Sequence, residues 1–234
     1  MNNNKVTRMA VLLYNSEDGL KGAERDIDMY VRFLLSSRGG SWRKSEIALW
    51  DVCKWSPLEF KSNLIHAAPD YLMMVYAGHG CILNGRTCFP MRNGELCAVE
   101  SLNSLADKQL TIADCCRVPG KSLMLESEMT KLASFGSTGD TSAIFCKAVA
   151  EADPQHITMY ACSPGEAASD GASYSLAMLS RLRKANPDGK RNVITAVEAH
   201  VLAHSELLTR GIKQIPRVTT TVQHVSRRLP LAVV

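Results

Sequence analysis

A histidine and a pair of adjacent cysteines follow two short apolar runs of the chain. Residues 71–76 (YLMMVY) lead into AGHG, which contains His79, and residues 109–113 (QLTIA) lead into DCCR, which contains Cys115 and Cys116. Such runs predict buried strands. Parallel strands end at one edge of a sheet, where α/β proteins place their catalytic groups. A thiol needs a base to become a nucleophile, so the pattern predicts a cysteine nucleophile with His79 as its base.

The choice between the two cysteines stays open at this point. Successive strand residues point to opposite faces of a sheet, so only one of Cys115 and Cys116 can face His79. The alternative without catalysis is that His79 is a buried turn histidine and Cys116 a core thiol. The chain has eight cysteines and no CxxC pair, and we expect all of them to be reduced.

Strand and helix patterns alternate along the whole chain. Strands are predicted at residues 9–14, 46–50, 71–76, 109–113 and 156–162, and helices at 23–37, from 57 onward, at 102–106, 141–151, 172–185 and 193–209. Residues 80–100 contain two Asn-Gly turns and predict either an irregular segment or a small hairpin. This alternation predicts an α/β sandwich with a mostly parallel sheet.

The composition is that of an ordinary globular protein. The 234 residues are 46% hydrophobic and 21% charged, and the net charge of +4 is spread along the chain, so we expect neither nucleic-acid nor membrane binding. No stretch approaches the roughly 18 apolar residues of a membrane-spanning helix, and residues 1–19 lack the pattern of a signal peptide. We therefore expect a cytoplasmic protein.

Several segments together resemble a known family. The strand endings YAGHG (76–80) and DCCR (114–117) and the segment ACSPGEAASDG (161–171) resemble the caspase-like cysteine peptidases, closest to the metacaspase branch and its prokaryotic members. LKGAERD (20–26) and QIPRVTTTVQHVSRRLPL (214–231) resemble the loop after the first strand and the final strand region. The resemblance implies a three-layer sandwich in one domain, 1–234. Residues 1–116 and 141–234 would correspond to the large and small subunit parts, with a linker at 117–140.

The resemblance also assigns catalytic roles. The family's D-x-C pattern makes Cys116 the nucleophile and Cys115 a structural residue, with His79 as the base. The N–H groups of Gly80 and Cys116 can form an oxyanion hole for the tetrahedral intermediate.

Two aspartates match acidic positions of the family's primary specificity pocket, and a third is nearby. They are Asp26 and Asp114, with Asp170 as a further wall. Carboxylates in a concave pocket select a cation, so we expect protein or peptide substrates with Arg or Lys before the scissile bond. Asp26 could instead be a charge that favours the start of a helix. For Asp114, at a strand end, we expect little structural purpose.

The segment 117–140 predicts a means of control. It is long and polar and contains Lys121 and Lys131, which an acidic pocket would accept. In the resembling family this linker is often cut, so we expect a zymogen that is cut near one of these lysines by itself or by an activating protease or other regulator. A plain surface loop is the alternative. We expect no cofactor or metal, since residues 81–100 offer calcium only Glu95 and Glu100.

Three other interpretations deserve a test. The chain could be a caspase-fold module that acts only through protein contacts. Residues 115–122 (CCRVPGKS) miss the phosphate-binding pattern GxxxxGK[ST] only at its first glycine, which would make the chain a nucleotide-binding protein. His200 and His204 could share a metal, although no third ligand is evident and an amphipathic helix is favoured.

Overall fold

The computed structural model describes residues 6–17, 21–119, 125–126, 135, 139–170, 173–185, 192–221 and 226–234. Its strands are β1 Arg8–Tyr14, β2 Ile47–Asp51, β3 Tyr71–Gly78, β4 Cys81–Leu83, β5 Arg86–Pro90, β6 Leu96–Ala98, β7 Lys108–Cys115, β8 Leu125–Glu126, β9 Gln155–Tyr160, β10 Ser169–Asp170, β11 Val193–Thr195, β12 Arg217–Thr220 and β13 Pro230–Val233. Its helices are α1 Lys21–Leu35, α2 Pro57–Ala67, α3 Ser142–Glu151, α4 Ser173–Lys184 and α5 Ala196–Thr209.

Six strands form the central sheet in the order β12-β9-β7-β3-β1-β2. All neighbours are parallel except β12, which runs antiparallel to β9. β3 and β7 lie in the middle, and every residue of β3 is buried. A strand covered on both faces needs apolar side chains on both, which explains the uninterrupted run at 71–76. The predicted, mostly parallel sheet is confirmed.

Each face of the sheet is covered by its own apolar core. Ala10 and Leu12 of β1 belong to the core that also contains side chains of α1, α3, α4 and α5. Val11 and Leu13 alternate with them and belong to the core that contains Phe60 of α2. The alternation along a single strand therefore separates two helical layers, and the result is a three-layer sandwich.

Residues 80–100 form a small antiparallel sheet instead of a simple hairpin. β4, β5 and β6 pair in sequence order. Asn84 and Gly85 make the first turn with φ angles of +50° and +76°, as a two-residue hairpin turn requires. The prediction of a hairpin was right but missed the third strand.

Two helix predictions were wrong in detail. Residues 193–195 are β11, paired with β13, and the helix begins only after Thr195, whose side chain accepts a hydrogen bond from Glu198 N. In place of a helix at 102–106 the chain makes a short 3-10 turn, Val99–Leu102. In the described part of the chain, no helix combines the length and the apolar character needed to cross a membrane.

Candidate active site

The ends of β3 and β7 bring the predicted histidine and cysteines together. The two strands are parallel neighbours, and Gly78 pairs with Cys115 at their carboxyl ends. His79 and Cys116 are the residues that follow this pair, so they occupy equivalent positions at one edge of the sheet. The predicted pairing of the two strands is confirmed, while the catalytic roles stay predictions.

Cys115 and Cys116 lie on opposite faces of the sheet. Cys115 belongs to the core on the α2 side, and Cys116 belongs to the core that contains α1 and α4. Burial raises the pKa of Cys115 well above the ordinary value of a thiol, so this side chain stays protonated at neutral pH. A thiol that burial keeps protonated is a poor nucleophile, which agrees with a structural role for Cys115.

Gly80 lies where any side chain would collide with the end of β7. A Cβ atom at this position would be 2.6 Å from both Cys115 Sγ and Cys116 O. The backbone after His79 can approach the two cysteines this closely only because residue 80 is glycine.

The sulfur of Cys116 is fully buried in the intact chain. Its exposed fraction is 0%. Ala168 N donates a hydrogen bond to Cys116 Sγ at 3.2 Å, and the thiol donates to Ala168 O at 3.6 Å. The next residues of this loop form β10, which pairs in parallel with β8 from the segment after Cys116. The loop that covers the sulfur is therefore attached to the predicted linker.

The turn that carries His79 is held by an aromatic side chain. Tyr76 Oη donates to His79 O at 2.7 Å, and the ring of Tyr76 stacks on Phe89 at 4.3 Å between centroids. The sequence analysis did not predict this role of Tyr76. The pattern that could have indicated it is a tyrosine three residues before the histidine, at the end of an apolar strand.

Asp114 has a structural partner, contrary to expectation. Its carboxylate accepts hydrogen bonds from Ser175 Oγ at 2.5 Å and Ser175 N at 3.1 Å, both in the first turn of α4. A carboxylate is well placed at a helix N-terminus, where backbone N–H groups lack helical acceptors. Asp114 thus ties the end of β7 to α4.

Asp26 and Asp114 are both buried, and both act on Tyr30. Burial is the main cause of the raised pKa of Tyr30, and the charges of Asp114 and Asp26 add to it. Asp26 is itself 5% exposed, and α1 begins at Lys21, so this residue is beyond the first turn. That position weakens the alternative that Asp26 only favours the start of the helix.

The remaining predicted residues are only partly described. The backbone of Asp170 lies in β10, opposite Glu126 of β8. Lys121 and Lys131 lie outside the described residues. Within the described part of the chain, no group of three His, Cys, Asp or Glu residues is arranged to hold a metal ion.

Arg117 anchors the chain directly after Cys116, a role that the sequence analysis did not predict. Its Nε donates to Thr87 Oγ1 at 2.9 Å, its Nη1 donates to Cys162 O at 3.2 Å, and its guanidinium lies 4.0 Å from the centroid of the Tyr160 ring. These contacts join the small sheet, β9 and the loop that follows β9. Because the buried Arg117 side chain makes these three contacts, it holds the backbone that follows β7 in one position.

Two of the other interpretations lose their basis. Cys115 is still a strand residue, and Val118 O accepts a hydrogen bond from Ile82 N at 2.9 Å. Up to Pro119 this path is extended and lacks the tight turn that opens a phosphate-binding loop, while residues 120–122 of the pattern lie outside the described residues, so we do not pursue nucleotide binding. His200 is buried, its Nδ1 is 2.7 Å from Tyr174 Oη, and burial together with nearby His204 lowers its pKa to about 4. His200 is therefore a core residue of an amphipathic helix.

Comparisons with known proteins agree with this architecture. The caspase domain family matches residues 7–225. The structure is similar to the crystal structure of the Drosophila initiator caspase Dronc, with a TM-score of 0.55 and 12% identity, over 92% of this chain and 80% of that chain. That likeness concerns the fold alone, and the predicted caspase-like fold is confirmed. The search of curated protein sequences gave no match. Because the family match spans nearly the whole chain, the protein belongs to the caspase-domain family of cysteine peptidases.

Proposed function

We propose that the protein is a metacaspase-type endopeptidase that uses His79 and Cys116 to cleave proteins after Arg or Lys. His79 takes the proton of Cys116, and the thiolate attacks the carbonyl carbon of the scissile bond. The N–H groups of Gly80 and Cys116 hold the oxyanion. His79 then protonates the leaving amine, and water hydrolyses the thioester and restores the thiol. The observation that carries this proposal is the pairing of Gly78 with Cys115, which sets His79 beside Cys116.

The arrangement of acidic side chains supports the choice of Arg or Lys. Asp114 lies on the same face of β7 as Cys116, and Asp26 on α1 is a second buried carboxylate. Asp170 follows Ala168, which contacts the Cys116 sulfur, by two residues. Carboxylates beside the nucleophile would pair with a guanidinium or ammonium group and repel an acidic side chain.

A panel of fluorogenic peptides that differ only in the residue before the scissile bond tests this proposal. The unmodified protein should hydrolyse the Arg and Lys peptides and leave the Asp peptide intact. Asp114→Asn should lower kcat/KM for Arg and Lys by roughly thirtyfold or more, since a desolvated charge partner is lost. Efficient cleavage after Asp by the unmodified protein would refute the assignment of specificity.

The burial of Cys116 supports a zymogen. A sulfur with 0% exposure cannot meet a substrate carbonyl until the loop at Ala168 moves, and that loop is paired with the linker through β8 and β10. We infer that the intact chain is weakly active and that a cut near Lys121 or Lys131 releases this loop.

Fragment mapping by mass spectrometry, with and without Cys116→Ala, tests whether the cut is made by the enzyme itself. The double variant Lys121→Ala/Lys131→Ala should stay uncut and weakly active. Full turnover by this uncut variant would show that the linker does not control activity.

A non-catalytic interaction module is the second candidate, because a fully buried Cys116 is also compatible with a cysteine that takes no part in a reaction. An Arg chloromethyl ketone, which alkylates a cysteine activated by a neighbouring base, separates the two. Labelling of Cys116 in the cut protein supports the peptidase. If neither the cut nor the intact protein is labelled, the module is the better interpretation.

A further inference from the structure

A chain of three buried polar side chains runs from α1 to the end of β7. Tyr30 Oη lies 3.1 Å from Ser175 Oγ, and Ser175 Oγ lies 2.5 Å from Asp114 Oδ2. Tyr30 and Ser175 have exposed fractions of 0%, and that of Asp114 is 3%. The chain therefore connects three elements through contacts from which water is excluded.

The donors and acceptors of the hydrogen bonds in this chain follow from the chemistry of its three side chains. Asp114 Oδ2 also accepts from Ser175 N at 3.1 Å, which marks it as an unprotonated acceptor oxygen. Ser175 has a single hydroxyl proton, and that proton is given to Asp114. The proton between Tyr30 and Ser175 must then come from Tyr30. Both hydroxyls consequently donate toward the carboxylate.

We propose that Tyr30 and Ser175 are positioning residues for substrate specificity, because they hold the Asp114 carboxylate ionised and in a fixed orientation for a cationic substrate side chain. This rests on the proposed function, in which Asp114 recognises Arg or Lys. Hydrogen bonds to the charged form of a group favour that form, and the N-terminus of α4 acts in the same direction. Loss of these hydrogen bonds would favour a neutral Asp114, which attracts a cation less strongly.

Other charged and titratable groups lie around Asp114. In the described part of the structure they include Asp26 and Tyr30 on α1, Tyr174 on α4, the strand-end thiols of Cys115 and Cys116, Cys162 after β9, and the guanidinium of Arg117, whose charge acts on Cys115 and Cys162. Tyr174, the neighbour of Ser175, has its hydroxyl 2.7 Å from His200 Nδ1.

Tyr174 therefore provides a matched control. Tyr30→Phe and Tyr174→Phe each remove one hydroxyl from a fully buried ring, but only the first shortens the chain to Asp114. Ser175→Ala removes the middle member, and Ser175→Thr keeps a hydroxyl there and should rescue it. Thermal unfolding of each full-length variant establishes that it is folded.

The measurement compares kcat/KM for an Arg peptide and for the same peptide with citrulline, which has the shape of Arg without its charge. Loss of a hydrogen bond to a charged group should lower the Arg/citrulline ratio by about tenfold in Tyr30→Phe and Ser175→Ala. The pH at which turnover of the Arg peptide falls on the acid side should also rise. In Tyr174→Phe both quantities should stay as in the unmodified protein, since general loss of packing affects the two peptides equally.

The outcomes separate this inference from the proposed function. If the unmodified protein does not prefer Arg over citrulline, the proposed specificity itself fails. If it does and Tyr30→Phe keeps the ratio within about twofold of Tyr174→Phe, only the positioning role is refuted. Should Ser175→Ala not fold, the comparison of the two tyrosine variants still decides.

Discussion

Single residues at the end of β7 differ in chemistry because they face different layers. Cys116 shares its face with Asp114 and the first turn of α4, whereas Cys115 is enclosed on the α2 side. Two adjacent and identical side chains thus lie on opposite sides of the sheet, one in each core.

Alanine variants of the two cysteines should therefore behave differently. Cys116→Ala should lower kcat by about a thousandfold or more, because the nucleophile is gone. Cys115→Ala should keep most of the activity and lose about 1 kcal/mol of unfolding free energy, since it leaves only a small cavity. Peptide turnover and urea unfolding measure the two effects. An inactive Cys115→Ala with normal stability would mean that the nucleophile is misassigned.

Gly80→Ala should damage the site without a large change in residue size. The new Cβ would be 2.6 Å from Cys116 O, so the backbone beside the nucleophile must shift. Displacements of about 1 Å in an active site cost on the order of 100-fold in rate, which is the loss of kcat expected here. Gly85→Ala is the control: its φ of +76° is strained for alanine, but the added Cβ meets nothing within 4 Å. It should lose stability and keep turnover.

Strand β3 carries two tyrosines whose hydroxyls donate similar hydrogen bonds at opposite ends of the strand. Tyr71 Oη donates to Pro230 O at 3.2 Å at one end of the strand, and Tyr76 Oη donates to His79 O at 2.7 Å at the other. Both bonds join a buried ring to a backbone carbonyl, but only that of Tyr76 fixes the turn with the histidine.

Tyr71→Phe and Tyr76→Phe should each lose about 1 kcal/mol of unfolding free energy, because each removes one hydrogen bond. Only Tyr76→Phe should also lower kcat, by about tenfold, because His79 is then less well oriented. Equal turnover by the two variants would show that the Tyr76 bond has no part in placing the histidine.

The elements predicted well from sequence are those set by local patterns. The apolar runs of β3 and β7 and the Ser56-Pro57 start of α2 needed only neighbouring residues, and Ser56 indeed accepts from Glu59 N as an N-cap. What was missed depends on residues distant in sequence. Val193–Thr195 is a strand because β13 pairs with it, Asp114 has a hydrogen-bond partner in Ser175, and Cys116 is covered by Ala168. Such contacts leave no local pattern to read.

The buried side chain of His200 makes the free energy of unfolding of the whole protein depend on pH. Its pKa is about 4 in the folded protein, lowered by burial and then by His204, against an ordinary value of 6.5. As pH falls from 6.5 to 4, the unfolded chain takes up a proton that the folded chain does not. Stability therefore falls through this window, by roughly 2–3 kcal/mol in total. His200→Gln should flatten this part of the curve of unfolding free energy against pH. The variant of exposed His66, His66→Gln, should not.

The central sheet also predicts the fate of a chain cut within residues 117–140. β7 precedes the cut and β9 follows it, yet they pair in parallel over six residues from Lys108↔Gln155 to Ala113↔Tyr160. Both pieces contribute to the core beneath α1 and α4. The two fragments should therefore migrate separately in denaturing gels and elute together from a sizing column. Fragments that separate in native buffer would contradict this expectation.

A cut at that position changes unfolding from a reaction of one molecule into a dissociation into two fragments. The intact chain unfolds as one molecule, so its stability does not depend on dilution. Once cut, the same β7–β9 pairing becomes a contact between two molecules, and each tenfold dilution weakens the folded state by about 1.4 kcal/mol. The cut protein therefore has a concentration below which it falls apart, a limit that the intact chain lacks.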